Sequence, residues 1–409
     1  DSIRHSIESC TPQTNIFLQP LLRYDRHSRR TNKKKTIPIL KNTAILPEIN
    51  IPLLRWYRQQ ARILPWREEP IPYRVWISEI MLQQTRVEAV KPFFERFLRA
   101  LPDIHALAGV EESRLLKLWE GLGYYNRARN LQKAARIICE KYQGNLPDNF
   151  AKLLTLPGIG RYTAGAISSI ACGQRQAAVD GNVLRVITRI LACPLDILKE
   201  STKRLIENAL LQAMPAASEA GAFNQALMEL GAMICLPKNP HCAHCPLLQL
   251  CLAAAEGCTD ALPIKKRPKP RRIEKKTILL LRKGASIALH QRPNIGLLAG
   301  LWELPNVSGH LPRGKLLSLL SSLGLKTTSV QALPPARHVF SHVEWHMIGW
   351  DICLTNIESV CESTVPDLTD PAMFSPLIFA NRDALAVKYS IPTAFQYYLS
   401  KWQQEECRK

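Results

Sequence analysis

No run of about 18 apolar residues occurs in this 409-residue chain, so no segment is a candidate membrane-spanning helix and the sequence reads as a soluble protein. Acidic residues are scarce: 34 Asp and Glu stand against 54 Lys and Arg, a formal net charge of +20. That excess attracts phosphate polyanions or anionic surfaces and by itself assigns no function. No internal repeat of useful period is present, so the chain does not read as a repeat protein. The cysteines do not form a disulfide framework. Of 12, Cys10, Cys139, Cys172, Cys193, Cys258, Cys353, Cys361 and Cys407 are scattered, and four crowd between 235 and 251. This usage fits an intracellular, reducing compartment: cytoplasm or nucleoid in a bacterium, nucleus or mitochondrion otherwise. The crowded four point to metal binding.

The length allows two or three folding units. Residues 1–48 carry Arg23, Arg26, Arg29, Arg30, Lys33, Lys34 and Lys35 without a hydrophobic period and read as a basic, poorly ordered tail. A solvated tail, a non-specific DNA arm and part of a targeting segment all fit that composition. Residues 49–258 are helical in pattern, with apolar residues three and four apart over 77–91 and 161–172 and Pro and Gly breaks between segments. Residues 259–276 read as a basic, Pro-interrupted linker. In 277–400, strands are expected at 277–281 and 286–290, a helix at 314–323 and β-structure over 337–354, an α+β domain; 401–409 is a short C-terminal tail.

Cys235, Cys242, Cys245 and Cys251 are spaced C-x6-C-x2-C-x5-C, which gathers four thiolates in one compact loop. Four Cys hold either a tetrahedral zinc or a [4Fe–4S] cube, and the spacing alone leaves both open. His241 and His244 flank the set and read as solvent-facing, since four thiolates complete a site. The spacing resembles the cluster loop of the endonuclease III superfamily of base-excision enzymes, and the resemblance implies a [4Fe–4S] cluster.

Leu156-Pro-Gly-Ile-Gly160 separates two apolar-periodic segments, so Gly158 and Gly160 belong to a tight turn feeding a helix near Arg161. Its freed N–H groups and the helix dipole suit a phosphate. Followed by Arg161-Tyr-Thr-Ala-Gly165 and Val179-Asp-Gly-Asn-Val183, it resembles the helix-hairpin-helix and trailing aspartate of the same superfamily. Breaking an N-glycosidic bond builds positive charge on the sugar, which an ionised carboxylate offsets; Asp180 is the candidate. The plain alternative is that Asp180-Gly181 caps a turn.

A base leaves its sugar poorly unless its ring is protonated, so such chemistry also needs a carboxylic acid with a raised pKa beside the base. Glu79 suits it, flanked by Ile77, Ile80, Met81 and Leu82, although a lone helix Glu is ordinarily a solvated residue. Leu64-Pro-Trp-Arg67, Val75-Trp-Ile-Ser-Glu-Ile-Met-Leu-Gln-Gln-Thr85 and Trp119-Glu-Gly-Leu-Gly-Tyr-Tyr125 together resemble the adenine DNA glycosylase (MutY) family. The resemblance is strong over 50–260 and weaker over 277–400.

That resemblance implies a mainly α helix-hairpin-helix glycosylase domain with an Fe–S loop, plus a C-terminal α+β Nudix-like domain. It implies that Glu79 protonates adenine, that Asp180 stabilises the oxocarbenium ion and that Asn182 orients the chemistry. Tyr162 stands where bifunctional relatives have a Schiff-base lysine. Arg62, Trp66, Arg67 and Leu82 would line the adenine pocket, and Gln84, Thr85, Leu122 and Tyr124 would meet the opposing 8-oxoguanine and the gap in the stack. Trp66, Leu122 and Tyr124 have an ordinary core reading as well, and Gln84 and Thr85 an ordinary surface-polar one. The expected partner is double-stranded DNA with adenine opposite 8-oxoguanine or guanine, met by a monomer.

Residues 277–400 resemble the Nudix-like recognition domain of this family, with Phe340, Ser341 and His342 matching its Phe-Ser-His loop; a buried strand end is the plain alternative there. The segment 314–323 holds no Glu, so metal-dependent pyrophosphate hydrolysis is not expected. Two rivals remain: an endonuclease III-like remover of oxidised pyrimidines with lyase activity, disfavoured by Tyr162, and a non-catalytic Fe–S module that binds damaged DNA, disfavoured by the presence of both Glu79 and Asp180.

Overall fold

The computed structural model describes residues 42–266, 270–355 and 377–406. Among these no helix is long and apolar enough to cross a membrane. Most of the basic N-terminal segment lies outside the described residues, but its end departs from a tail. Thr43–Ile49 is a 3-10 helix leading into the helix Asn50–Gln60, because Leu46, Ile49, Leu53 and Leu54 recur at helical spacing and are buried.

The helical part packs around two apolar clusters. Trp76, Phe94, Phe97, Trp119, Leu131 and Ile138 belong to the first, built from the helices between residues 72 and 142. The second joins the N-terminal Leu46–Leu54 stripe to Val183, Ile187, Phe223 and Leu227, so the chain's start closes onto the helices Gly181–Ile190 and Ala217–Met233. A cleft lies where the two clusters meet. The apolar period over 77–91 is broken into two helices, Pro72–Leu82 and Val87–Ala100. Gln84 takes a left-handed backbone (φ 58°) and thereby turns Gln84 and Thr85 out of the helix. Arg161–Ala166 continues into a π-helical segment, Ile167–Ala171, where the Asn224 amide donates to Ser169 Oγ at 2.8 Å.

The C-terminal part is a mixed seven-stranded sheet. Five strands lie in the order β3 (Trp302–Glu303), β2 (Ser286–Gln291), β1 (Arg272–Lys283), β6 (Val343–Leu354) and β5 (Thr327–Val339), while β4 (Asn306–Ser308) pairs with β1 and β7 (Ile378–Ala380) with β2. β1 runs parallel to β6, from Arg272 opposite Val343 to Arg282 opposite Cys353. It starts five residues before the expected 277, so Arg272–Lys276 of the presumed linker are strand. Along β1 the side chains alternate: Ile278 and Leu280 enter the cluster under the C-terminal helices, Leu279 and Leu281 the cluster under the helix Arg313–Ser322. Pro334 and Pro335 sit at a register shift of β5, tolerable because β5 is an edge strand. The presumed tail from 401 continues the helix Gln396–Glu406, anchored by the fully buried Trp402.

Candidate active site

A cavity of about 1600 Å³ lies between the two helical clusters and reaches the C-terminal domain. At its floor is Glu79, 6 % exposed, on the apolar face of Pro72–Leu82. The Tyr162 hydroxyl, from the first turn after the hairpin, donates to Glu79 Oε2. The Glu79 carboxyl is pushed up to about 7: burial raises it most and Asp180 adds to that, while the Tyr162 bond and Arg67 oppose the shift. Tyr162 itself is held well above the ordinary tyrosine value by burial and by both acids, so it is a donor at neutral pH.

Asp180 precedes the helix Gly181–Ile190 and caps it: one oxygen accepts from the Val183 N–H at 2.7 Å. The other accepts from Asn182 Nδ2 at 2.8 Å. Burial raises its pKa, and these bonds with Arg185 pull the other way. The turn-cap reading and the site reading therefore describe the same side chain. Asn182 is in turn held by Arg185, whose Nη2 donates to its Oδ1 at 2.9 Å. Gly231 on Ala217–Met233 lets Asn182 approach this closely, since a Cβ there would stand 2.6 Å from Asn182 Cβ.

Arg62, Trp66, Arg67 and Leu82 all line the same cavity. Trp66 is also core, 6 % exposed and edge-on to Phe94 at 5.5 Å. The two arginines are bound by Glu229, a residue the sequence reading missed. Arg62 Nε and Nη2 meet Glu229 Oε1 and Oε2 at 2.8 and 2.9 Å, and Arg67 Nη2 meets Oε2 at 2.9 Å. These bonds outweigh burial and hold Glu229 down to about 2. The available signal was an acid inside the apolar helical run Ala226–Gly231, the same signal that singled out Glu79.

Toward the rim, Gln84 is exposed and Thr85 half-exposed on the turned-out loop. Tyr124 is 50 % exposed. Leu122 differs from expectation: it is 6 % exposed, packs in the first apolar cluster and does not line the cavity. Its loop is folded back by Arg127, also missed, whose guanidinium donates to the carbonyls of Ile80, Met81, Gln83, Leu122 and Gly123. The sequence offers no sign of this, because the hydrogen-bond partners are backbone apart from Thr85 Oγ1 at 3.5 Å. In the hairpin, Leu156 and Ile159 are buried and Gly158 and Gly160 exposed on the cavity side. Gly158 has φ 78°, and a Cβ there would meet Asn130 at 2.8 Å. Phe340, Ser341 and His342 reach the same rim from the β5–β6 turn, where Ser341 Oγ and Tyr124 OH are 2.9 Å apart.

Away from the cavity, burial raises the pKa of Cys245, and Cys235, Cys251 and Cys242 are close enough to add to it. Arg189 Nη1 lies 3.3 Å from Cys235 Sγ, and Arg185 Nε donates to the Cys235 carbonyl at 2.7 Å. His241 and His244 are exposed. Among the described residues, no group of three or more His, Cys, Asp or Glu is placed to hold a metal ion.

Residues 77–212 match the model of the HhH-GPD superfamily base excision DNA repair protein, and residues 277–401 that of the NUDIX domain. Adenine DNA glycosylase of Rattus norvegicus is 38 % identical over 351 residues, 71 % of this chain and 68 % of that one. Adenine DNA glycosylase of Buchnera aphidicola subsp. Baizongia pistaciae is 35 % identical over 295 residues, 71 % and 82 % of the two chains. Among solved structures, a thermostable thymine-DNA glycosylase is 29 % identical with a TM-score of 0.46, covering 53 % of this chain and 98 % of its own.

Proposed function

Since this chain belongs to the adenine DNA glycosylases, base-excision repair enzymes that hydrolyse an N-glycosyl bond, we propose that Glu79 and Asp180 release adenine, flipped out of double-stranded DNA, from opposite 8-oxoguanine or guanine. The observation that supports this best is the buried Glu79, bonded by Tyr162, and the half-buried Asp180, held by Asn182 and Val183, lining one cavity. A proton held on Glu79 passes to the adenine ring, so the C1′–N bond breaks with its electron pair leaving on a neutral base. The sugar is left cationic, and Asp180, fixed by Val183 N–H and Asn182, balances that charge until water adds. Arg62, Arg67, Trp66 and Leu82 wall the base pocket, with Glu229 holding both guanidinium groups still. Tyr162 has no amine for a Schiff base, which supports a monofunctional enzyme that leaves the strand uncut.

Gln84, Thr85 and Tyr124 face the opposing base from the helical side, and Phe340, Ser341 and His342 from the other. The hairpin at Gly158 and Gly160 takes a backbone phosphate. Oxidation gives guanine an N7–H donor and an 8-oxo acceptor, and the Ser341 hydroxyl has both complementary functions. Cys235, Cys242, Cys245 and Cys251, electrostatic neighbours in one loop with Arg189 beside Cys235, are the residues that would hold a [4Fe–4S] cluster. When bound, such a cluster supplies structural stability to this loop.

The test is single-turnover adenine release by Glu79→Gln and Asp180→Asn. Both are expected to lose nearly all release while binding duplex, and Asn still caps the helix. Near-normal rates in either variant remove that residue from the chemistry.

A further inference from the structure

The Tyr124–Ser341 contact closes one end of the seam between the helical and C-terminal domains. A charged pair that the chemistry does not use closes another. Lys117, in the last turn of the helix Glu112–Leu118, places Nζ 2.7 Å from the Leu385 carbonyl, 2.9 Å from the Tyr389 carbonyl and 2.6 Å from Glu120 Oε2. An ammonium has three protons, and these acceptors use all of them. The other Glu120 oxygen accepts from the Ile391 N–H at 2.7 Å. Leu385 belongs to the short helix Arg382–Val387, whose last carbonyls lack intrahelical partners and whose dipole favours a cation. The Lys117 and Glu120 side chains are only 18 % and 23 % exposed, so salt screens them weakly.

Both sides of this pair run directly into the surface that faces the opposing base. Glu120 is followed by Gly121, Leu122, Gly123 and then Tyr124. On the other side, Ile391 and Phe395 are buried in the core of the C-terminal domain. The Phe395 ring packs edge-on to Trp345 at 6.0 Å, and Trp345 packs edge-on to Phe340 at 4.9 Å, next to Ser341. A close-packed aromatic path of this kind transmits position with little slack.

We propose that Lys117 and Glu120 are positioning residues for lesion recognition: they fix the C-terminal domain at the spacing where Ser341 and Tyr124 address one opposing base. They thereby set the preference for 8-oxoguanine over guanine without touching DNA or the adenine pocket. This rests on the reading of Phe340–Ser341–His342 as the lesion-reading loop.

The experiment compares the full-length protein with Lys117→Met, Lys117→Arg, Glu120→Ala and Ser341→Ala. It measures the affinity ratio for duplexes with adenine opposite 8-oxoguanine and opposite guanine. It also measures the single-turnover rate opposite guanine at saturating enzyme and hydrogen exchange over residues 385–391. Lys117→Met and Glu120→Ala are expected to lower the affinity ratio by roughly three- to tenfold, as coupled contacts do. They should speed exchange over 385–391 and leave the rate opposite guanine unchanged, and Lys117→Arg should retain most of the preference. If Ser341→Ala lowers the ratio while Lys117→Met and Glu120→Ala keep it, the positioning role is wrong and the loop reading stands. If Ser341→Ala keeps the ratio, the loop reading fails and takes this proposal with it. An equal fall in affinity for both duplexes, or a fall in the rate opposite guanine, marks the pair as merely structural and overturns the proposal.

Discussion

Glu79 needs a surrounding that keeps a proton on a carboxyl at neutral pH, and Asp180, close by, needs one that tolerates its charge. Glu79 is buried and accepts one hydrogen bond, from Tyr162; Asp180 accepts from a backbone N–H and an amide and has Arg185 near. With the Glu79 carboxyl pushed up to about 7, the proton donor is lost as pH rises through that value. The single-turnover rate of adenine release should therefore fall on the alkaline side of about 7, and Glu79→Gln should lose this limb along with the activity. A rate that stays flat from pH 6 to 9 would contradict the assignment of Glu79 as the acid. At this scale the sequence was informative where a polar residue interrupts an apolar run, as at Glu79. It was silent where the partner is distant backbone, as for Arg127, and it was overlooked at Glu229, which interrupts its helix in the same way.

Elements place these residues by how they end. The Pro72–Leu82 helix stops at Gln83, and the left-handed Gln84 turns the next residues to the rim, an ending that the apolar period across 77–91 concealed. The hairpin and the Asp180 cap were legible because Pro, Gly and Asp have few other uses at such spacings. The start of β1 was not, since Arg272–Lys276 is mostly charged and reads as linker until the parallel partner β6 is known. Leu122 shows the same limit, because a leucine between two glycines fits a wedge and a core position equally well. The cysteine loop is the element whose chemistry is most directly testable. Purified protein should be brown and contain about four irons per chain, and Cys242→Ala should lower stability or DNA binding more than the bond-breaking rate. A stoichiometric zinc without iron after anaerobic preparation would contradict the cluster.

At the scale of the whole molecule, the question is how an enzyme removes a normal base without attacking normal pairs. Pocket fit cannot mark adenine as wrong, so the proposed function places the signal on the opposite strand, and the C-terminal domain brings Ser341 to the rim that Tyr124 shares. The domain's helix Arg313–Ser322 contains no Glu. Ser341→Ala combined with His342→Ala should reduce the preference for 8-oxoguanine over guanine by about 1 to 3 kcal/mol, the worth of a base-edge contact. Binding assays on the two duplexes measure it, and an unchanged ratio would move discrimination to Gln84, Thr85 and Tyr124. The net charge of +20 adds affinity for any duplex and no selectivity.

The central claim is that Glu79 and Asp180 hydrolyse the adenine N-glycosyl bond and leave the strand whole. The most direct measurement incubates the protein with duplexes containing adenine opposite 8-oxoguanine, adenine opposite guanine, and thymine glycol, and follows free base, strand breaks and borohydride-trapped adduct together. The expected result is free adenine from the first two, fastest opposite 8-oxoguanine, with strands intact until alkali is added and no trapped adduct. Release of thymine glycol with strand cleavage and efficient trapping would contradict it.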